Sequence, residues 1–338
     1  MTEAQILIAL LWIAVTAYAL LGGADFGGGV LDLTARGERA ERQRSAIRAA
    51  MGPVWEVNHV WLIYVVTGLF GAFPLAYQAI SVVLFMPLML AVVGIVMRGA
   101  AFAFRGHYDG TGAPRARLGR IFGVASVITP FFLGASAGAL TSDQIRLGPD
   151  GFDFPGVLAI WTTPFALACG VLAVAISAYL AASYLTVEMD RRDETELAED
   201  FRIRALRIGL AAGVISIATL AIGYAAVPEF HSDLPPGALA LMAGGALAGI
   251  AAMLAQWRRL YRLARAFAAA TVIGVLWGWA LGQYPQLVGP DVTVASAAAD
   301  PAMLTALLYA AAGGMALLIP SLYLLYVMFR REPAPIAE

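Results

Sequence analysis

Long apolar stretches alternate with short polar loops along the whole chain. Windows of about 19 residues place apolar spans near 4–33, 54–72, 78–104, 119–141, 157–187, 206–227, 237–256, 264–284 and 303–329. Most run to about 20 residues or more, the length needed to cross a bilayer as a helix. The pattern predicts an all-α, polytopic membrane protein of about nine transmembrane helices. Ile6–Leu21 runs into further apolar sequence with no basic segment before it, so the first span is expected to stay in the chain.

The loops carry a charge pattern that checks the span count. The chain has 22 basic residues, all arginine. With the N-terminus outside, 21 of the 22 fall on the inner side, in clusters around Arg36–Arg48, Arg98–Arg120, Arg191–Arg207, Arg258–Arg265 and Arg330–Arg331. The exception is Arg146, in a loop with Asp143, Asp150 and Asp153. Deleting a span would scramble this alternation, so the expected topology has the N-terminus outside and the C-terminus cytoplasmic.

Nine spans divide as two four-helix units and one extra helix. The expected organisation is a single integral membrane domain, 1–338, with a first bundle in 1–141. A second bundle takes 157–256 with part of 264–284, and 303–329 is a peripheral helix. Ala14-Val-Thr-Ala-Tyr18 in the first span echoes Ala175-Ile-Ser-Ala-Tyr179 in the fifth, which hints at duplication.

Composition agrees: 60% of residues are hydrophobic and 13% charged, against about 25% charged in soluble domains. The lone cysteine, Cys169, excludes an internal disulfide. No nucleotide-binding loop, zinc-hydrolase motif or nucleic-acid signature is present. The cluster Gly22–Gly29 and the pairs Gly23/Gly27 and Gly245/Gly249 read as close helix packing. Pro87, Pro130 and Pro320 are expected to kink their spans.

Ionisable residues inside spans carry the candidate chemistry, because each costs about 2.5–3.5 kcal/mol at a helix centre. They are Asp25, Glu56, His59 and Arg98. The first span runs inward and the second outward, so Asp25 and Glu56 lie at comparable depth in the inner half of the membrane. Glu56 and His59, three apart, share a helix face with Trp55, while Asn58 is rotated about 200° from Glu56 towards another helix. Arg98 lies two turns before Arg105 and can pair with a carboxylate or snorkel to the interface. Asp32 and Glu188 lie near span ends and are expected at the interface. Two readings follow: a structural network neutralised by Arg98, or a proton entry through Asp25 and Glu56. Of the three histidines only His59 falls in a span, since His107 and His231 belong to loops. A haem held between two axial histidines is therefore not expected in this chain, nor is a metal site.

Four blocks resemble subunit II of the cytochrome bd-type quinol oxidases. They are Gly23-Ala-Asp25-Phe-Gly-Gly-Gly-Val-Leu31, Gly52-Pro-Val-Trp55-Glu56-Val-Asn58-His59-Val-Trp61-Leu62, Gly71-Ala-Phe-Pro74-Leu-Ala-Tyr77 and Arg98-Gly-Ala-Ala-Phe-Ala-Phe-Arg105. Together they cover roughly the first third of the chain. The resemblance implies a subunit that binds no haem itself and packs against a haem-bearing subunit I, which holds haem b and haem d. Such a complex reduces dioxygen to water with quinol in a bacterial cytoplasmic membrane. It further implies a proton path with acids at the positions of Asp25 and Glu56, with Trp55, Asn58, His59 and Arg98 as their shell. Some members hold a structural quinone or bind small single-span accessory subunits, and lipid surrounds them all. Two departures stand out: Glu56 replaces the aspartate common in relatives, and Gly22-Gly23 stand where many carry a further acid. The residues alone also suit a proton-coupled secondary transporter, or an anchor in which the acids only hold helices together.

Overall fold

The computed structural model describes residues 1–51, 58–107, 113–226 and 234–331. They form eleven helices: α1 Glu3–Thr34, α2 Ala40–Met51, α3 Asn58–Ala72, α4 Pro74–Val83, α5 Phe85–His107, α6 Ala113–Leu140, α7 Pro164–Arg191, α8 Thr195–Ala226, α9 Pro236–Trp257, α10 Tyr261–Gln283 and α11 Pro301–Arg331. Eight of these are long and apolar enough to cross a membrane, and the bent pair α3–α4 makes a ninth if counted as one span. The surface is apolar as lipid demands, with Leu210, Ile217 and Leu220 of α8 and Leu317 of α11 all exposed.

Helix starts follow local chemistry. Thr2 and Gln5 form a reciprocal cap at the start of α1: the Gln5 amide donates to the Thr2 hydroxyl, and the Thr2 amide to the Gln5 side chain. Thr163 accepts from the Ala166 amide at 3.2 Å, and Pro164 fills the first position of α7, where a missing N–H costs nothing.

Two boundaries and one kink differ from expectation. The third span, expected from 78, begins at Phe85; Pro74–Val83 is a separate helix turned 119° from α3. Pro74 pushes Phe73 out of helical geometry, to φ −136° and ψ 63°, and so turns the chain. The Ala299 amide then donates to the Ala72 carbonyl at 2.9 Å and holds the corner. The fifth span starts at Pro164, not 157, because 157–162 coils in turns. Pro87 sits in the first turn of α5, where it costs no hydrogen bond, whereas Pro130 and Pro320 lie inside α6 and α11.

Helix α1 is central and packs on α3, α6 and α7, while α9 pairs with α10. Glycine sets the closest approaches: a Cβ at Gly27 would overlap the Ser177 carbonyl, and one at Gly274 would lie 2.8 Å from the Leu241 carbonyl oxygen. Trp277 and Trp279 of α10 donate to Thr16 of α1 at 3.1 Å and to Thr141, beside the end of α6, at 3.0 Å. At the arginine-rich face, the short helix α2 bridges α1 and α8. Arg39 meets Asp200 at 2.6 Å, and Arg204 donates to the Leu31 carbonyl at 2.8 Å and the Thr34 hydroxyl at 2.6 Å. The Asp200 carboxylate pushes the Arg39 pKa further up, so this staple keeps its charge. On the opposite face two small hairpins, Arg146–Gly148 with Gly151–Asp153 and Gln286–Val288 with Val292–Thr293, are joined where the Leu147 amide donates to Asp291 at 3.0 Å.

Candidate functional site

The glycine-rich turns of α1 place a carboxylate in the packed interior. Asp25 is 6% exposed, and Arg98, reaching in from α5, is the largest fully buried side chain. The Arg98 guanidinium lies 2.7 Å from Asp25 Oδ1 and also donates to the Asp25 carbonyl at 3.3 Å. Its Nε donates to Ser126 of α6 at 3.1 Å, and that hydroxyl donates on to the Phe122 carbonyl at 2.7 Å. The cation is also flanked by the rings of Phe26 and Phe122, with Cζ 5.1 and 5.0 Å from their centroids. Asp25 Oδ2, by contrast, is buried without a hydrogen-bond partner among the described residues.

Helix α3 supplies the remaining side. Asn58 Nδ2 donates to the Leu21 carbonyl of α1 at 3.4 Å, so it does face another helix. The His59 ring meets the Tyr18 ring edge-on at 6.4 Å, on the same stretch of α1 that carries Asp25. Structure and sequence thus bring Asp25, Arg98, Asn58 and His59 together. Trp55 and Glu56 lie outside the described residues, as does His231. Among the described residues no three histidine, cysteine or acidic side chains are grouped as a metal site.

A second buried pair escaped the sequence reading. Asp32, expected at the interface, is 3% exposed and lies 3.0 Å from Arg105. Both pairs span 73 residues, and both step seven residues along α1 and α5, so two ion pairs stack two turns apart on helices running the same way. The repeated seven-residue step from Asp25 to Asp32 and from Arg98 to Arg105 was the available signal; hydropathy hid it by putting Asp32 at a span end. A neutral counterpart joins α7 and α9, where the Gln256 side-chain amide donates to the buried Thr186 hydroxyl at 3.2 Å.

The chain as a whole is similar to known proteins. The family described as cytochrome bd terminal oxidase subunit II matches residues 3–329. A Bacillus subtilis chain provisionally named a cytochrome bd menaquinol oxidase subunit II is 23% identical over 98% of this chain and 96% of its own length. The cytochrome bd-I ubiquinol oxidase subunit 2 of Escherichia coli K12 is 26% identical over 55% of this chain and 50% of its own. Among solved structures, the bd oxidase from Geobacillus thermodenitrificans superposes with a TM-score of 0.76 at 22% identity, covering 97% of this chain and 99% of that one.

Proposed function

Because the chain belongs to the cytochrome bd terminal oxidase subunit II family, we propose that it is the haem-free partner of a haem-bearing subunit I in a quinol:oxygen oxidoreductase. It is a multi-pass protein of a bacterial membrane. In this reading the subunit stabilises subunit I and admits protons from the cytoplasmic side for the reduction of dioxygen to water. Helices α1, α3, α5 and α6 form the first bundle, α7–α10 the second, and α11 the peripheral helix. Family membership displaces the secondary-transporter alternative.

The observation that supports a proton entry is the divided carboxylate of Asp25. One oxygen is held by Arg98, while the other is buried and unpartnered among the described residues, available to take a proton. Protonation there leaves the Arg98 charge uncompensated, so the proton arrives as a net positive charge in a low-dielectric interior. Such a step suits a site that must balance electrons arriving nearby. Glu56 is the proposed carrier before Asp25, with Trp55, Asn58 and His59 orienting the two.

The test is Glu56→Gln in the intact complex. Turnover with quinol and proton uptake are expected to fall at least tenfold, about 1.4 kcal/mol of barrier, with haem content and subunit stoichiometry unchanged. Normal turnover would remove the relay. A loss of assembled complex instead would make Glu56 an anchor. An optical difference spectrum of the complex, and of this chain freed from subunit I, checks the haem assignment: the bands should leave with subunit I.

A further inference from the structure

At the arginine-rich end of α1, α5 and α6, closed on one side by α2, lies a cavity of about 580 Å³. Among the described residues its charged lining is Asp32, Glu41, Arg44, Arg105, Arg115 and Arg120. Two of the four cations are compensated, Arg105 by Asp32 at 3.0 Å and Arg44 by Glu41 at 3.1 Å. Arg44 also donates to the Asp32 and Ala35 carbonyls at 3.3 and 3.0 Å, so each of its three side-chain nitrogens is engaged. Arg115 and Arg120, in the first turns of α6, have no ion pair among the described residues. The lining therefore carries two surplus positive charges, reinforced by the positive end of a 28-residue helix.

Buried groups point the same way. Arg105 is nine-tenths buried and lines the cavity, and its Nε has no hydrogen-bond partner among the described residues. Gly119 makes room for its guanidinium, since a Cβ there would lie 3.2 Å from Arg105 Cζ. Arg48 of α2 feels the same crowding: burial, and then the charges of Arg105 and Arg115, pull its pKa down. An anion in the cavity would offset the Arg105 and Arg115 charges that crowd Arg48.

The surroundings favour one source of anion. Leu33, at the cavity, and Ile121 and Val124, on the next turns of α6, are exposed apolar side chains that continue from it along the outer surface. A polar, positive socket opening onto an apolar groove at the end of the spans matches a phosphodiester with acyl chains attached. We infer that the cavity between α1, α2, α5 and α6 binds the headgroup phosphate of an anionic phospholipid, held by Arg115, Arg120 and Arg105. The site is independent of the proton path and stands whichever role Asp25 has.

The test uses the purified oxidase complex in neutral detergent, titrated with dioleoylphosphatidylglycerol, with dioleoylphosphatidylcholine, or with inorganic phosphate. Its readouts are the melting temperature and the lipid retained in native mass spectrometry. Phosphatidylglycerol is expected to raise the melting temperature and to stay bound, and the other two to do neither. Each surface arginine adds roughly fivefold in affinity, so Arg115→Gln with Arg120→Gln should weaken the response about 25-fold, and lysine at both positions should restore most of it. Equal effects of phosphatidylcholine, an undiminished response in the glutamine variant, or the same shift from inorganic phosphate alone would each overturn the assignment.

Discussion

A guanidinium and a carboxylate withdrawn from water each lose several kcal/mol of hydration, and their attraction returns it only when the remaining hydrogen bonds are made. Arg98 meets that condition through Ser126, the Asp25 backbone and two aromatic faces; Asp25 meets it with one oxygen. Asp25→Asn strands the buried cation and should cost about 3–5 kcal/mol, seen as loss of assembled, haem-containing complex. Asp25→Asn combined with Arg98→Gln removes both charges and should recover most of the assembly while turnover stays low. Full turnover in that double variant would leave the pair a purely structural role. Asp25 and Arg98 were legible in the sequence because each is a rare charge inside an apolar run. Asp32 was not, because a window average assigns a charge near a span end to water, whereas α2 folds back and covers it.

Helix–helix contact here is set by missing side chains rather than by interlocking large ones. The α1–α7 crossing depends on Gly27 lying against the Ser177 carbonyl, a backbone atom that cannot rotate away. Gly27→Ala should lower complex stability by about 1–3 kcal/mol, as overpacking does. Gly213→Ala, on α8 with nothing within 4 Å, should leave the melting temperature unchanged. Equal effects at the two positions would refute the close-packing account. Hydropathy located the spans but carries no information on the direction of an axis. That is why the turn at Phe73-Pro74 and the late start of α7 were hidden, although Pro74 was in plain view.

Across the whole molecule the arginine asymmetry assigns the faces. Glu38, between α1 and α2, is exposed at the arginine-rich end, and Asp150, between the first two strands, is exposed at the other. In a Cys169→Ala background, a membrane-impermeant maleimide applied to intact cells should label Asp150→Cys and spare Glu38→Cys. The reverse pattern would invert the topology. The sequence echo between the first and fifth spans has a counterpart at this scale. Counting seven residues on from Tyr18 reaches Asp25, and seven on from Tyr179 reaches Thr186. Asp25 is tied to α5 and Thr186 to α9. The chain thus holds two interhelical joints seven residues on from matching tyrosines, one charged and one uncharged. The uncharged joint, Thr186 with Gln256, closes without ions, so low turnover in an assembled Asp25→Asn, Arg98→Gln complex would mean that the carboxylate and guanidinium are kept for something besides architecture.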